Sequence, residues 1–418
     1  MNLNVDKSQW TKVRLGDVAT EYSSRINDPS SGDRERFVGS SCIGQWDFRV
    51  QEWESTASVT SAMKLFEEGD YLLVRRSLYA SDFRERAPRA HFAGVCSGDI
   101  LTIRENPELI ADGFLIGILN NPSIWSYIVA NASGSITRRI KWKDLANYEF
   151  LLPPKDQQAE IAELLWALDR VIEADTELKN TASIHFEVSK NDLTLHGLGN
   201  QLVYSEKIKN EVAKGWSVTT VGDLLACDAI VKIQDGNHGE IHPKSSDYID
   251  HGIPFIMANS LENGGVNFSK SKKLPQDITD RLRVGFSYPG DVLLSHKGTI
   301  GEVAIVPQEI AFPYLMLTPQ VTLYRTNEHK LKGKFLFYVF SAKHFQSQLS
   351  VISAQSTRAY VGKTAQQKLR LAIPDSLIEQ ERIVGFLDEL DGLVRLMDDS
   401  IAYSRLLQKS LINEVFPI

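Results

Sequence analysis

The residues best suited to chemistry in the first half of this sequence are arginines and lysines that gather in two short segments. Five arginines and only two acids lie between positions 75 and 89, and segment 133–141 holds three basic residues and no acid. Guanidinium and ammonium groups bind phosphate oxygens, and arginine also matches the paired acceptors of guanine. Solvated surface charge is the competing interpretation, because exposed arginine is common. The candidate contact residues are Arg75, Arg76, Tyr79, Arg84, Arg86, Arg138, Arg139 and Lys141.

The second half carries three comparable segments. Residues 295–299 follow an apolar run, as Arg75 does, and we expect them to form a loop. Segment 356–363 is the counterpart of 133–141, and a lysine run occupies 270–273, where solvated charge is the default interpretation. The candidate contact residues in this half are Lys270, Lys272, Lys273, Ser295, His296, Lys297, Thr299, Arg358, Tyr360 and Lys363.

Patterns typical of enzymes are incomplete in this sequence. Segment 362–364 resembles the end of a phosphate-binding loop, but such a loop needs a glycine where Thr357 stands. His238 and His242 are four residues apart among glycines and a proline, which predict a loop rather than the helix that would align two metal ligands. The Pro-Pro pair at 153–154 lacks the Asn or Asp and the aromatic residue of an amino-methylating site. We therefore expect neither catalytic residues nor a metal site.

The composition predicts a folded protein with more than one core. The chain has 418 residues, of which 43% are hydrophobic and 24% charged, so intrinsic disorder is excluded. No stretch approaches the roughly eighteen apolar residues of a membrane span, and the start does not resemble a signal peptide. Three scattered cysteines indicate neither a disulfide framework nor zinc. We expect a cytoplasmic protein with reduced cysteines and no membrane partner.

The net charge of −7 hides an uneven distribution. Segment 160–177 has six acids and one arginine, and segment 375–399 has eight acids and two arginines. These two stretches outweigh the whole net charge, so the remainder of the chain is mildly basic. The overall charge therefore does not exclude a nucleic-acid partner.

The sequence repeats itself. Residues 10–18 return at 216–224, residues 68–73 at 289–294, and residues 153–169 at 374–391. The order of these segments is the same in both halves, and the last two are offset by 221 or 222 residues. The pattern indicates a tandem duplication in which each copy has a globular part followed by a helical part.

The helical parts have coiled-coil spacing. A proline precedes a capping residue at the start of each, and apolar residues then alternate by four and three. About forty residues would form a helix of roughly 60 Å. Two paired helices are favoured by this length, whereas the alternative is two amphipathic helices that each pack on their own domain. The spaced apolar residues are Ile161, Leu165, Leu168 and Ile172, then Ile383, Leu387, Leu390, Val394, Met397 and Ile401.

The globular parts read as mixed α/β domains. Short runs rich in β-branched and aromatic residues are separated by glycine, proline, asparagine and aspartate, which predicts several strands. Examples are 71–74, 292–294 and 301–306. The two globular parts match poorly outside the repeated segments, so they have diverged more than the helices.

These segments, in this order and twice over, resemble the DNA specificity subunit of a type I restriction-modification system. The residues that carry the resemblance are 10–18 with their repeat, 151–158, 235–239, 252–256, 290–295, 297–301 and 373–380. The first half departs from the pattern, because it has no equivalent of the segments at 235–239 and 252–256. Transfer of residue roles from one half to the other is therefore in doubt.

The resemblance implies an α+β architecture with a tandem pseudo-twofold repeat. Two target recognition domains would occupy 1–152 and 201–373, and conserved spacer helices at 153–200 and 374–418 would pack antiparallel as a coiled coil between them. Each domain would read one half of a bipartite DNA site, and the helices would set the unspecified gap. Since the domains differ, the two half-sites should differ too.

The resemblance also implies that chemistry comes from partners. Two methyltransferase subunits would bring S-adenosylmethionine, and restriction subunits would use ATP and magnesium, while this chain would hold no cofactor. Apolar helix residues outside the seam are candidate docking residues, although packing within this chain is at least as well supported for each. They are Leu164, Trp166, Leu393 and Leu396.

Two other classes of function remain open from the sequence. A DNA-free scaffold with twin protein-binding domains would leave the basic segments solvated and would show no affinity for duplex DNA. A self-sufficient nucleic-acid enzyme would act without partners. Steep weakening of duplex binding with salt would separate the specificity subunit from the scaffold.

Overall fold

The computed structural model describes residues 6–76, 84–134, 137–238, 241–354 and 360–416. The chain divides into two units, residues 1–178 with 396–418 (unit 1) and residues 179–395 (unit 2). Two long helices, α5 (Lys155–His196) and α11 (Leu377–Val415), contribute a part of their length to each unit. We describe each unit separately.

Unit 1 contains three sheets. A two-stranded antiparallel sheet pairs β1 (Thr11–Arg14) with β10 (Glu149–Leu152). A second sheet has the order β2 (Ala19–Glu21), β9 (Ile100–Glu105), β7 (Tyr71–Val74). The third has the order β3 (Arg25–Ile26), β6 (Met63–Phe66), β8 (Gly94–Cys96), β4 (Arg36–Val38), β5 (Glu54–Ser55), with β4 and β8 parallel. The short helices are α1 (Leu15–Val18), α2 (Leu115–Leu119), α3 (Pro122–Asn131) and α4 (Trp142–Leu145).

Unit 2 has the same kinds of element with more strands. The strand pair β13 (Ser217–Thr220) and β24 (Arg370–Ile373) is antiparallel. One four-stranded sheet has the order β14 (Ile230–Asp235), β23 (Val321–Thr326), β20 (Val292–Lys297), β21 (Thr299–Ile305). The other has the order β18 (Lys272–Leu274), β15 (Ile253–Ile256), β22 (Leu315–Leu317), β19 (Phe286–Ser287).

Among its described residues, unit 2 also has two hairpins and five α-helices. The hairpins are β11 (Leu202–Ser205) with β12 (Asn210–Ala213) and β16 (Leu261–Glu262) with β17 (Gly265–Val266). The helices are α6 (Val221–Ala226), α7 (Gln276–Thr279), α8 (Gly333–Ser341), α9 (Lys343–Ala354) and α10 (Lys363–Gln366). The mixed α/β domains predicted from the sequence are confirmed.

The first repeated segment forms the same start in both units. In unit 1 the Asp17 carboxylate accepts a hydrogen bond from the Arg14 backbone N–H (2.9 Å), which closes the first turn of α1. In unit 2 Asp223 does the same for Thr220 at the start of α6 (3.1 Å). In unit 2 the cap is reciprocal, because the Thr220 hydroxyl also accepts from the Asp223 N–H (3.1 Å), which satisfies a backbone donor that a helix start otherwise leaves unpaired. The repeat is therefore a repeat of local structure.

Buried polar contacts also recur at the sequence offset. Asp70 binds Arg104 through two hydrogen bonds of 2.7 and 2.8 Å, and Asp291 binds Arg325 at the same two distances, 221 residues on. The side-chain amide of Gln158 donates to the Pro153 carbonyl (2.9 Å) at the start of α5. Gln380 donates to Pro374 before α11 in the same way (3.0 Å). These shared contacts tie the helix starts to the sheets in both units.

The two long helices pair within unit 1 in antiparallel register. Ser400 of α11 donates to the Asp175 carboxylate of α5 (2.6 Å), and Gln408 donates to the Leu165 carbonyl (3.5 Å). The α5 number falls as the α11 number rises, which fixes the antiparallel direction. Leu165 lies in the same core as Ile412, so each helix packs on the domain of unit 1 as well as on its partner helix.

In unit 2 the two long helices share a hydrophobic core. Leu193 of α5 lies in one core with Ile383 and Leu387 of α11. Helix α5 ends at His196, where Gly197 has a φ of +65°, a conformation that favours glycine. The predicted long paired helices are confirmed, and their direct hydrogen bonds lie in unit 1.

Candidate nucleic-acid interface

In unit 1, the end of strand β7 meets the segment that precedes helix α4. Arg76 and Arg139 form an antiparallel β-bridge, and the backbone N–H of Ile140 donates to the Arg75 carbonyl (3.2 Å). The Arg75 N–H in turn donates to the carbonyl of Asp99 (3.0 Å), which precedes β9. The structure thus brings together the two basic segments that the sequence singled out in this half.

A single carboxylate holds the two arginines of this surface. One oxygen of Asp99 accepts from Arg76 (2.7 Å) and the other lies 3.0 Å from an Nη atom of Arg139. The guanidinium side chains are 43% and 45% exposed, whereas Asp99 is 17% exposed. The acid therefore lies beneath the arginines, which remain in contact with solvent. Charge-assisted pairs of this kind restrict the orientation of a guanidinium.

The other candidates of unit 1 lie around this pair. Lys141 is exposed immediately before α4, and Arg138 donates to the Ala132 carbonyl (3.0 and 2.7 Å), which anchors the segment. The Nε atoms of Arg75 and Arg84 are buried and have no hydrogen-bond partner among the described residues. Tyr79, which the sequence also suggested, lies outside the described residues.

Arg86 differs from the other basic candidates because it is buried. Its Nε donates to the Ile43 carbonyl (2.6 Å) and an Nη donates to the Ser40 carbonyl. Burial lowers the pKa of this guanidinium, and the charge of the nearby Asp47 partly offsets that lowering. The side chain is held by the loop at 40–43 inside the domain. We therefore exclude Arg86 from the candidate surface.

Unit 2 repeats this backbone arrangement with other side chains. The Val361 N–H donates to the His296 carbonyl (3.0 Å), and Lys297 forms an antiparallel bridge with Tyr360. The His296 N–H donates to the carbonyl of Gln320 (2.9 Å). Each of these residues stands 221 positions after its counterpart in unit 1. The two surfaces are therefore equivalent in framework.

The segment 295–299 is a hairpin rather than the loop expected from the sequence. Strand β20 continues to Lys297, and Gly298, with a φ of +82°, turns the chain into β21 at Thr299. Both faces of β20 are covered, so Ser295 and His296 are both buried although consecutive side chains on a strand point to opposite faces. Ser295 accepts a hydrogen bond from the Glu302 N–H (2.9 Å).

His296 is held from below by a buried polar chain. Its Nδ1 lies 2.8 Å from the Thr322 hydroxyl, which donates to Asp235 (2.7 Å). Burial lowers the pKa of His296, an effect that the Asp235 charge opposes. The ring makes an edge contact with Tyr360, with centroids 5.5 Å apart. His296 therefore supports Tyr360, which is 43% exposed, and is not itself at the surface.

Lys297, Thr299 and Lys363 are exposed around Tyr360. Arg358 lies outside the described residues. The lysine run at 270–273 belongs to a different sheet, where Lys270 pairs with Glu262 and Lys273 donates to the Asp250 carbonyl (3.0 Å). Lys272 is exposed on β18. Two of the three lysines thus already have partners within the unit.

Within the described ranges, no group of three His, Cys, Asp or Glu side chains is placed to hold a metal ion. His238 donates from Nδ1 to the Gly236 carbonyl (2.8 Å). No helix among the described residues has the length and hydropathy needed to cross a bilayer.

Comparison with known proteins shows what this chain is similar to. The model for the type I restriction modification DNA specificity domain matches residues 213–402. The type I restriction enzyme MjaVIII specificity subunit of Methanocaldococcus jannaschii is 20% identical over 309 residues, which cover 72% of this chain and 69% of the relative. These matches support a type I specificity subunit, with the family model covering residues 213–402 of the chain.

Two solved structures share the fold of this chain. A chain from a structure describing complex assembly and conformational transition of the type I R-M system is 19% identical, covers 98% of both chains and has a TM-score of 0.56. The S subunit of a type I system from M. genitalium is 14% identical, with a TM-score of 0.61 over 100% of this chain and 98% of its own. At these identities the likeness concerns the fold alone.

The docking residues predicted from the sequence are not all exposed. Leu164, Leu393 and Leu396 are exposed on the long helices. Trp166 packs within unit 1, because its indole N–H donates to the Gly113 carbonyl (3.1 Å) and its ring contacts Phe48, with centroids 5.9 Å apart. We therefore do not retain Trp166 as a docking residue.

Sequence reasoning missed Asp99 and Gln320. Asp99 holds two candidate arginines, and Gln320 occupies the equivalent place in unit 2. Neither stands in a basic segment, so a search for clustered charge passes over both. The signal that would have found them is the offset of 221, which relates Asp99 to Gln320 as it relates Arg76 to Lys297.

Proposed function

We propose that this chain is the non-catalytic subunit that selects the DNA sequence of a type I restriction-modification enzyme. It reads an asymmetric bipartite site, with one half-site contacted by the surface of unit 1 and the other by that of unit 2. The observation that carries the proposal is the pair of equivalent surfaces, built on Arg76 with Arg139 and on Lys297 with Tyr360. Equal frameworks with unequal side chains suit two different half-sites.

The side chains on these surfaces have the chemistry that DNA recognition needs. Arg76 and Arg139 carry donor pairs that match a guanine edge, while Lys141 is an exposed cation suited to phosphate. In unit 2, Tyr360 and Thr299 offer hydroxyls, and Lys297 and Lys363 offer cations. The second surface therefore has fewer paired donors and should have a different base preference.

We further propose that the long helices dock two methyltransferase subunits. Exposed apolar residues recur on α5 and α11 at an offset of 222: Leu164 with Phe386, Val171 with Leu393, and Ile184 with Leu406. Exposed apolar residues in a regular stripe are typical of a protein interface. Because the stripe occurs twice in equivalent form, it suits two copies of one partner.

The partners would supply the reaction. On this proposal S-adenosylmethionine binds the methyltransferase subunits, ATP and magnesium bind the restriction subunits, and this chain binds duplex DNA in the cytoplasm. The role of its own residues is to bind and orient DNA. The relatives of this chain support the assignment, since they are named as specificity subunits.

Mapping methylated adenines tests the proposal. The chain and its methyltransferase subunits would be expressed in a host without other adenine methylation, and genomic DNA would be sequenced for the modified base. We expect methylation at one asymmetric bipartite sequence with a fixed gap. Methylation without sequence preference, or at a continuous site, would contradict it. An unmethylated genome, together with no affinity for duplex DNA at low or high salt concentration, would favour the DNA-free scaffold.

A further inference from the structure

The two surfaces hold different side chains at three equivalent positions. Backbone hydrogen bonds place Asp99 beside Arg75 and Gln320 beside His296 in the same way. The equivalent pairs, with unit 1 first, are Arg76 and Lys297, Arg139 and Tyr360, and Asp99 and Gln320. A change at all three positions at once suggests that they act as a set.

In unit 1 this set is an acid that joins two arginines. The two carboxylate oxygens of Asp99 are shared, one with Arg76 at 2.7 Å and one with Arg139 at 3.0 Å. A guanidinium has five N–H donors, so each arginine retains donors for an external acceptor. The β-bridge between Arg76 and Arg139 fixes their backbones, and Asp99 restricts their side chains.

The acceptor that suits this set is a base edge rather than a phosphate. Asp99 halves the positive charge of the arginine pair, which weakens its attraction for phosphate but leaves the directed N–H donors intact. A contact to the DNA backbone does not depend on sequence, so both units would be expected to keep the same residues for it. Unit 2 has neither guanidinium at the equivalent positions. A contact that reads sequence is expected to differ between two half-sites.

We propose that Asp99 is a positioning residue that holds Arg76 and Arg139 as a fixed pair for reading guanine in the first half-site. This inference rests on the proposed function and assigns the base class read by that surface. The pairing requires two acceptor oxygens. Asparagine has one acceptor oxygen and one NH2 group, so it can hold only one of the two guanidiniums.

The test is selection from a randomised duplex library by the complex of the full chain with its methyltransferase subunits. The variants are Asp99→Asn and Arg76→Lys, the second of which keeps the charge and loses the planar fork. The matched control is Asp112→Asn, because Asp112 also binds an arginine of unit 1, Arg89, through both oxygens. Thermal unfolding of each variant is measured alongside.

We expect the wild-type complex to select guanine in the first half-site. In Asp99→Asn and Arg76→Lys that preference should fall by about tenfold or more, with the second half-site and the gap unchanged. Asp112→Asn should select the wild-type sequence. Should Asp99→Asn unfold at a lower temperature, Arg76→Lys decides alone, since its side chain is at the surface.

Three results would overturn the inference. The first is a first half-site without guanine, and the second is an unchanged guanine preference in Arg76→Lys. The third is a loss of binding by Arg76→Lys that is equal for all sequences and comes with a smaller salt dependence, which indicates a phosphate contact. Failure of the proposed function is a separate outcome. In that case the wild-type complex itself would enrich no bipartite sequence.

Discussion

If α5 and α11 set the gap between the half-sites, lengthening both should widen the gap. The insertion points are 178/179 in α5 and 395/396 in α11, where the helices pass from one unit to the other. These points are opposite each other in the register that pairs Asp175 with Ser400 and Leu165 with Gln408. Duplicating residues 172–178 and 389–395 would add seven residues to each helix and preserve the apolar seam.

The size of the effect follows from helix geometry. Seven residues at about 1.5 Å each add about 10.5 Å. Base pairs are stacked about 3.4 Å apart, so the gap can widen by at most about three base pairs. Three base pairs also rotate the second half-site by roughly 100° about the duplex axis, given about ten base pairs per turn. The complex must absorb that rotation, so we expect a gain of about one to three base pairs.

The assay is the map of methylated adenines from the complex with the doubly extended chain. We expect the two half-sequences to be unchanged and the gap to be longer. A chain extended in one helix only is the matched control, because helices of unequal length cannot keep their contacts in both units, and this chain should unfold at a lower temperature. If the complex with the doubly extended chain still methylates sites with the original gap, the helices do not act as a ruler.

Three further predictions concern single residues. Replacement of exposed Leu393 by glutamate should weaken association with the methyltransferase in a pull-down titration without lowering the unfolding temperature. Replacement of buried Leu387 by alanine should instead lower the free energy of unfolding by about 2–5 kcal/mol. Replacement of Lys141 or Lys363 by alanine should weaken binding evenly across sequences and lower the slope of log affinity against log salt by about 1 each. Burial lowers the pKa of His344 to about 4, so the folded state keeps this imidazole neutral. The unfolded state binds a proton below about pH 6.5, so the free energy of unfolding should fall as the pH drops below that value. Urea titration should show a loss of up to about 3 kcal/mol near pH 4. In His344→Phe that pH-dependent loss should shrink, whereas replacement of the exposed His329 should leave it unchanged.

The long helices and the main strands could be predicted because their signals are local. Helix α5 begins after the proline pair and ends before Gly197, and its apolar spacing identifies the buried side. Strands β7 and β20 carry uninterrupted apolar runs that are buried on both faces. Both kinds of signal depend on neighbours within a few turns or residues.

The surface residues were harder to predict because their exposure depends on distant parts of the chain. Arg86 and Arg76 belong to one basic segment, yet only Arg86 meets the backbone carbonyls of a loop about 43 residues away. His296 was expected on a loop, but β20 continues through it and buries it against Thr322. Nothing near these residues in the sequence announces those contacts.

The pattern of what is kept and what is changed between the units has a physical cause. The Asp70–Arg104 pair and its counterpart Asp291–Arg325 each join a nearly fully buried acid to an arginine on a β-strand. Loss of one partner would therefore leave a buried charge unpaired. The set at Arg76, Arg139 and Asp99 lies at a surface, where a substitution leaves the backbone bridge intact because backbone atoms form it. A duplicated framework of this kind can therefore change the side chains that it presents at its surface without losing its fold.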